Sequence, residues 1–361
     1  MAGEFVPEAV WIERSERDTP VARAVRERFA GPVALFDGRA PVRPASVRDG
    51  KRVLVLQRHR GAFLRHCPAG TAGLVCCNYV VVNLASNCPM DCSYCFLQDY
   101  LADAPALTAY TNVADALAEV GAVLDAHPDR SFRIGTGELA DSLALDPLTD
   151  LSRLLVPFFA ARRNAVLELK TKSACVDGLL GLDPNGQVVV SWSVNAAAVV
   201  AGDEAGTATL AERLAAARRV RHAGYRVGFH FDPLVEFDGW EAGYAAAVEA
   251  VAETVDTAGI AWVSLGSLRL SPALAQAVRR REAAGHVLGA ELVPSADGKA
   301  RVWRGLRLQM YRFLVARLRA ALGSEVPLYL CMEPPAVWQA VMGEVPADRA
   351  LGLRLAAGAG W

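Results

Sequence analysis

The sequence predicts an α/β fold: a partial (β/α)6 barrel of the TIM type, with a small N-terminal lobe and a C-terminal extension. Three observations lead to it. From residue 80 onward, short β-rich runs alternate with Ala-rich segments of helical period, the pattern of βα units around a parallel sheet. Six such units follow one another, and right-handed crossovers of that length curl a parallel sheet while leaving a six-unit barrel open on one side. The composition, 53% hydrophobic in 361 residues, supplies a packed core and excludes whole-chain disorder.

Residues 1–70 read as the N-terminal lobe, punctuated by Pro20, Pro32, Pro41 and Pro44, with an amphipathic helix near Val21–Phe29. The barrel spans 71–290. Its strands are expected near Val80–Leu84, Phe132–Gly135, Val166–Lys170, Val188–Val194, Arg226–Phe231 and Trp262–Gly266. Helices are expected near Val113–Ala126, Pro147–Ala161, Leu210–His222, Glu241–Thr257 and Pro272–Ala284, with a shorter one near Ala174–Leu180. Residues 291–361 carry a helix near Leu306–Leu322 and a strand near Leu328–Leu330, and are expected to cover the barrel mouth.

With 38 Lys+Arg against 39 Asp+Glu, the net charge of -1 gives no global attraction to nucleic acid, although the first 65 residues hold a local basic excess. Eight cysteines are too few for a disulfide scaffold, and no basic-then-apolar leader opens the sequence, so a reducing cytoplasm is expected. The uncharged stretch Cys67–Met90 holds Pro68, Gly70, Gly73, Asn78, Asn83 and Pro89, which rules it out as a membrane span.

Six of the eight cysteines lie in or beside that stretch. Cys88, Cys92 and Cys95 form a C-x3-C-x2-C run directly after the first expected barrel strand. Three thiolates at this spacing suit three irons of a [4Fe-4S] cube whose fourth iron stays open for reaction. A zinc knuckle completed by Cys76 or Cys77 is the alternative, though no second cysteine pair at zinc-finger spacing follows.

This motif at the C-terminal end of a first barrel strand resembles the radical S-adenosylmethionine enzymes. Around it, Gly61–Leu64, Cys67-Pro68, Cys76–Tyr79 and Asn87–Cys95, and further on Glu168–Ser173, Ser193–Asn195, Glu204–Thr207, Ala223–Tyr225 and Phe229–Pro233, resemble the spore photoproduct lyase family. The resemblance implies a [4Fe-4S] cluster and S-adenosylmethionine as cofactors, and an electron donor such as flavodoxin or ferredoxin. It implies a pyrimidine photoproduct in DNA as substrate, attacked by a 5′-deoxyadenosyl radical. It further implies that Tyr94, Lys172 and Ser193 contact S-adenosylmethionine, Lys172 as a point charge for its carboxylate. In the turn Gly135-Thr136-Gly137-Glu138, Gly135 and Gly137 allow close backbone approach, and Glu138 is placed to accept from the cofactor's ammonium.

Two positions depart from that family's pattern. The cysteine that returns a hydrogen atom to the product radical corresponds to Glu138 here, and the tyrosine after the third cluster cysteine corresponds to Phe96, which has no O–H to give. Glu138 and Cys331 are therefore the catalytic candidates. His230 and Asp232 are candidates for the substrate cavity. Arg301, Trp303 and Arg304, with Arg307 nearby and Arg58-His59-Arg60 with Arg65 in the N-terminal lobe, are candidates for phosphate and base contact. The competing functions are the same radical chemistry on a free nucleotide or other small molecule, and a non-catalytic, metal-bearing nucleic-acid-binding protein.

Overall fold

The computed structural model describes residues 5–67, 73–281, 285–295 and 297–360. Seven parallel strands make a curled half-barrel: β1 (Tyr79–Val82), β2 (Phe132–Gly135), β3 (Ala165–Thr171), β4 (Val188–Ser193), β5 (Arg226–Leu234), β6 (Ile260–Ser267) and β7 (Leu328–Leu330), each paired with the next. All six expected strands are present. The seventh is the strand expected in the C-terminal segment, which extends the sheet beyond β6. At the opposite edge Leu64–His66 pairs antiparallel with β1. Strands β4 and β6 are buried along their whole length, because helices cover one face of a parallel sheet and the other faces the barrel interior.

The outer layer comprises α1 (Val113–Ala126), α2 (Leu151–Ala160), α3 (Leu210–His222), α4 (Trp240–Ala252), α5 (Pro272–Arg279) and α6 (Arg304–Leu322). Four expectations change. The helix expected over Pro147–Ala161 is split, because Asp150 takes a left-handed conformation with φ 56° between a turn at Asp146–Thr149 and α2. The short helix expected near Ala174–Leu180 is a single 3-10 turn at Asp177–Leu179. There the Ser173 hydroxyl accepts from the Cys175 N–H and competes with helical pairing. Helix α4 stops at Ala252, where the Thr254 hydroxyl donates back to the Ala250 carbonyl. Of the expected helix Pro272–Ala284, α5 covers the part to Arg279, and 282–284 lie outside the described residues.

The N-terminal lobe has its own sheet, built on Val33–Phe36, Ala9–Glu13 and Val53–Gln57 in parallel. It is completed by Leu107–Tyr110 and Ala85–Ser86, which come from beyond residue 70. The chain thus leaves β1 for the N-terminal sheet, makes the cysteine loop, and returns to that sheet, so the loop is held at the junction of the two. A small sheet of Arg269–Leu270, Ala300–Val302 and Leu292–Pro294 stands near the open end. Among the described residues, no helix is long and apolar enough to cross a membrane.

Candidate active site

A cavity of about 690 Å³ opens at the C-terminal ends of the strands, where barrels of this kind place their reactive groups. Its wall contains the predicted residues Cys88, Cys92, Tyr94 and Cys95 from the loop, Gly137 and Glu138 after β2, Lys172 after β3, Ser193 on β4, His230 and Asp232 on β5, and Cys331 after β7.

The cysteine loop is fixed by polar groups on its flanks. Asn87, fully buried and left-handed with φ 69°, donates to the carbonyls of Val47 (3.0 Å) and Pro105 (2.7 Å) and accepts from the Cys88 N–H (2.7 Å). Gln98 donates to the carbonyls of Cys92, Ser93 and Cys95. Asp91 is held by Arg281 at 2.8 Å and Arg48 at 3.2 Å, and Lys51 donates to the Met90 carbonyl. Replacing Asn87 by Ala removes three bonds at a backbone position that ordinary side chains resist. We expect it to lower unfolding stability by about 2–3 kcal/mol in urea titration.

The three loop thiols are free, and burial raises all of them, Cys88 to about 12. Among the described residues no three His, Cys, Asp or Glu side chains close around a point that one metal ion would occupy. A four-iron cube asks for something different, one thiolate per corner iron, with the sulfurs spread across the cube. Three cysteines on one loop lining an open cavity fit that donor set.

Tyr94, Lys172 and Ser193 meet through a buried ion pair, Glu204 with Arg213, to which the sequence alone gives no role. Glu204 pairs with Arg213, both fully buried, and Asp91–Cys92 forms an antiparallel ladder with Glu204–Ala205. Tyr94 donates its hydroxyl to Glu204. Arg213 also donates to the Ser193 carbonyl (2.9 Å), the Ala208 carbonyl (2.9 Å) and the Thr207 hydroxyl (2.7 Å). The Lys172 ammonium lies 5.6 Å from the centre of the Tyr94 ring. Burial works against its charge, but Glu204 and Cys92 outweigh burial and hold its pKa above the ordinary lysine value. The Lys172 backbone N–H donates to Asp141, whose other oxygen accepts from Thr171, Leu143 and Ala144. A permanently charged ammonium on a fixed backbone is what carboxylate capture requires.

Deeper in the barrel, Glu168 accepts from Arg133, His230 and Ser191, each at 2.7 Å, and from the Trp262 indole at 3.2 Å. Arg133 lies over the rings of Trp262 (4.2 Å), Tyr79 (5.2 Å) and Tyr329 (5.4 Å). The signal was present in sequence: an Arg and a Glu inside otherwise apolar strands must be paired if the strands are buried. Burial and the nearby Lys170 lower His230 to about 4, while Glu168 pulls the other way. Unfolded, this histidine titrates near ~6.5, so between those values the unfolded chain binds the extra proton and stability drops as the pH is lowered. We expect a loss of about 3 kcal/mol on going from pH 7 to pH 4 that His230→Asn removes, read as the pH dependence of urea midpoints.

Other predicted residues are placed differently. Gly135 is not on the cavity wall. It lies beneath Tyr79, whose hydroxyl a Cβ there would meet at 1.8 Å, so the glycine serves ring packing. Gly137 does line the cavity, and a Cβ there would stand 3.0 Å from the Lys170 carbonyl. Burial raises the Glu138 carboxyl against the opposing charge of Lys170. Burial likewise keeps the Cys331 thiol protonated, well above the usual thiol range. Arg301 does not reach the surface. It is 2% exposed and spent on Asp297 (2.5 Å) and the Met332 carbonyl (2.9 Å), with Arg307 similarly held by Glu333 (3.3 Å). Trp303, 52% exposed, and Arg304 do face solvent. In the N-terminal lobe Arg58 pairs with Asp115 and Arg60 with Glu13. Phe96 stands at the cavity edge, 39% exposed, edge-on to Tyr100 at 6.0 Å.

Residues 74–265 match the family model described as spore photoproduct lyase. The chain is 29% identical over 258 residues to spore photoproduct lyase of Geobacillus sp. (strain Y412MC61), covering 70% of this chain and 75% of that protein. It is 27% identical over 250 residues to the Bacillus subtilis (strain 168) protein of the same name, covering 68% and 72%. Among solved structures, a spore photoproduct lyase double mutant with bound AdoMet and dinucleoside spore photoproduct superposes with TM-score 0.78 at 22% identity, covering 91% of this chain and 99% of that one. A spore photoproduct lyase complexed with dinucleoside spore photoproduct gives TM-score 0.78 at 22% identity, covering 91% and 100%. At that identity the structural likeness is one of fold.

Proposed function

The chain belongs to the spore photoproduct lyase family of radical S-adenosylmethionine enzymes, and from that premise we propose that it reverses a pyrimidine photoproduct in DNA. In this reading Cys88, Cys92 and Cys95 hold a [4Fe-4S] cluster. When bound, that group supplies the electron, delivered by a donor such as flavodoxin or ferredoxin, that opens S-adenosylmethionine to a 5′-deoxyadenosyl radical. Lys172 takes the cofactor's carboxylate, Glu138 its ammonium, and the Tyr94 ring and Ser193 fix its orientation. The Glu204–Arg213 pair keeps those groups in place and dry. His230 and Asp232 border the space left for the lesion, while exposed Trp303 and Arg304 are available for an extruded base and a phosphate.

The observation that carries this reading is one cavity whose wall holds three thiols of a single loop together with Lys172, Tyr94 and Ser193. Cys331 is the proposed hydrogen-atom source. Its S–H, kept protonated by burial on the same wall, offers what neither Glu138 nor Phe96 offers. Those two substitutions favour a second reading, the same radical chemistry on a free nucleotide or other small molecule. The test is anaerobic reconstitution with iron and sulfide, then reductant, S-adenosylmethionine and ultraviolet-damaged spore DNA. Restored thymines are expected. Release of 5′-deoxyadenosine with every damaged DNA left unchanged, but with a thymine nucleotide consumed, moves the substrate to the second reading.

A further inference from the structure

Two lysines on the cavity wall have no partner in the scheme above. Lys172 acts on Cys92 and Cys95. Lys170, at the end of β3, and Lys299, in the turn before Ala300–Val302, act instead on Glu138. Neither ammonium has a carboxylate within 4.0 Å or an accepting hydrogen-bond partner among the described residues. The other charged groups around them are engaged: Arg269 with Asp232 at 3.2 Å, and Arg301 with Asp297. The other carboxyl beside them, Glu138, is the one given to the cofactor's ammonium above, and burial raises its pKa against the charges of Lys170, Arg269 and Lys299. Burial, and then the charge of Arg269, make the Lys299 ammonium easier to deprotonate than usual, while Asp297 and Glu138 act the other way.

We propose that Lys170 and Lys299 form a phosphate subsite in the cavity, taking the phosphate that links or terminates a thymine nucleotide substrate. This rests on the nucleotide-lesion reading given above and adds the part of the substrate that the cavity recognises by charge. Lysine suits the role, since it contacts a phosphate as a point charge without demanding bidentate geometry. The source of the phosphate, a diester within DNA or a monoester of a free nucleotide, is set by which ligand the subsite favours.

The test is anaerobic equilibrium binding to the reconstituted holoenzyme with S-adenosylmethionine at low salt. Two ligand pairs are compared: dinucleoside spore photoproduct against its phosphodiester-linked dinucleotide, and thymidine against thymidine 5′-monophosphate. In at least one pair the phosphate-bearing member is expected to bind roughly tenfold more tightly, with a preference that fades as salt rises. The K170M/K299M protein is expected to lose that preference to within about twofold, and K170R/K299R to keep it. A wild-type protein with no phosphate preference in either pair, or a preference that survives K170M/K299M, overturns the subsite. Turnover of the lesion without phosphate preference removes the subsite and leaves the repair reading standing. Phosphate preference without lesion turnover does the reverse.

Discussion

Cys92→Ala protein, reconstituted anaerobically, is expected to release no 5′-deoxyadenosine above background and to bind less iron and sulfide than the parent. Of the three loop thiols, that of Cys92 is the most enclosed, and its backbone is already fixed by the ladder to Glu204–Ala205, where the side chain takes no part. Its removal therefore takes away a donor without taking away the loop. If the three thiolates hold the proposed cluster, removing one takes away a protein ligand that its assembly would need. The comparison variant is Cys175→Ala, a thiol outside the cavity wall, for which iron content and 5′-deoxyadenosine are expected to match the parent. Undiminished cleavage by the Cys92 variant would show that the cluster is held elsewhere.

The largest loss of stability is expected from Arg213→Met. Arg213 is fully buried and donates to Glu204, Thr207, Ala208 and Ser193. Removing one member of a buried pair leaves the other charged and unmatched, which costs about 3–5 kcal/mol. Glu204 would then face Lys172, the Tyr94 hydroxyl and the Asn195 amide. The sign of its pH dependence follows from its position. Burial opposes the charge, but Lys172 and Arg213 outweigh it and hold the carboxyl below its ordinary value. The pair therefore contributes fully above the unfolded carboxylate pKa near ~4.3 and is lost as pH falls through the lower folded value. Urea titrations at pH 7 measure the loss, and the double variant E204Q/R213M, which leaves no unpaired charge, is expected to recover part of it. A loss under about 1 kcal/mol for Arg213→Met would mean that the pair is not the support this site rests on.

The strands were legible because a parallel strand covered on both faces reads as a mostly apolar run, as Val188–Ser193 and Ile260–Ser267 do with only small serines and a glycine among their apolar residues. The cysteine spacing was legible because the three donors sit within one loop. What escaped the sequence was contact across distance. Arg213 lies within the expected helix Leu210–His222, where nothing in the pattern marks its guanidinium as turning inward to a carboxylate nine positions earlier on another element. Arg301 beside Trp303 reads as a phosphate contact, but Asp297, four residues earlier, pairs with it under the surface. Gly135 reads as a cofactor turn, and only the position of the Tyr79 ring reveals why no side chain fits there. The strand Leu107–Tyr110 carries no mark of the sheet it joins, since pairing with Val53–Gln57 depends on how the chain returns from the cysteine loop.

The central claim is that a radical made at the cysteine loop removes hydrogen from a thymine lesion in the adjoining cavity. The most direct measurement uses a dinucleoside spore photoproduct deuterated on its thymine rings and bridge, incubated with reconstituted protein, reductant and S-adenosylmethionine. Mass spectrometry of the adenosine product, the recovered cofactor and the dinucleoside follows. Deuterium in 5′-deoxyadenosine or in recovered S-adenosylmethionine, together with appearance of the repaired thymidine pair, is the result expected. Unlabelled 5′-deoxyadenosine with the lesion intact would contradict the claim.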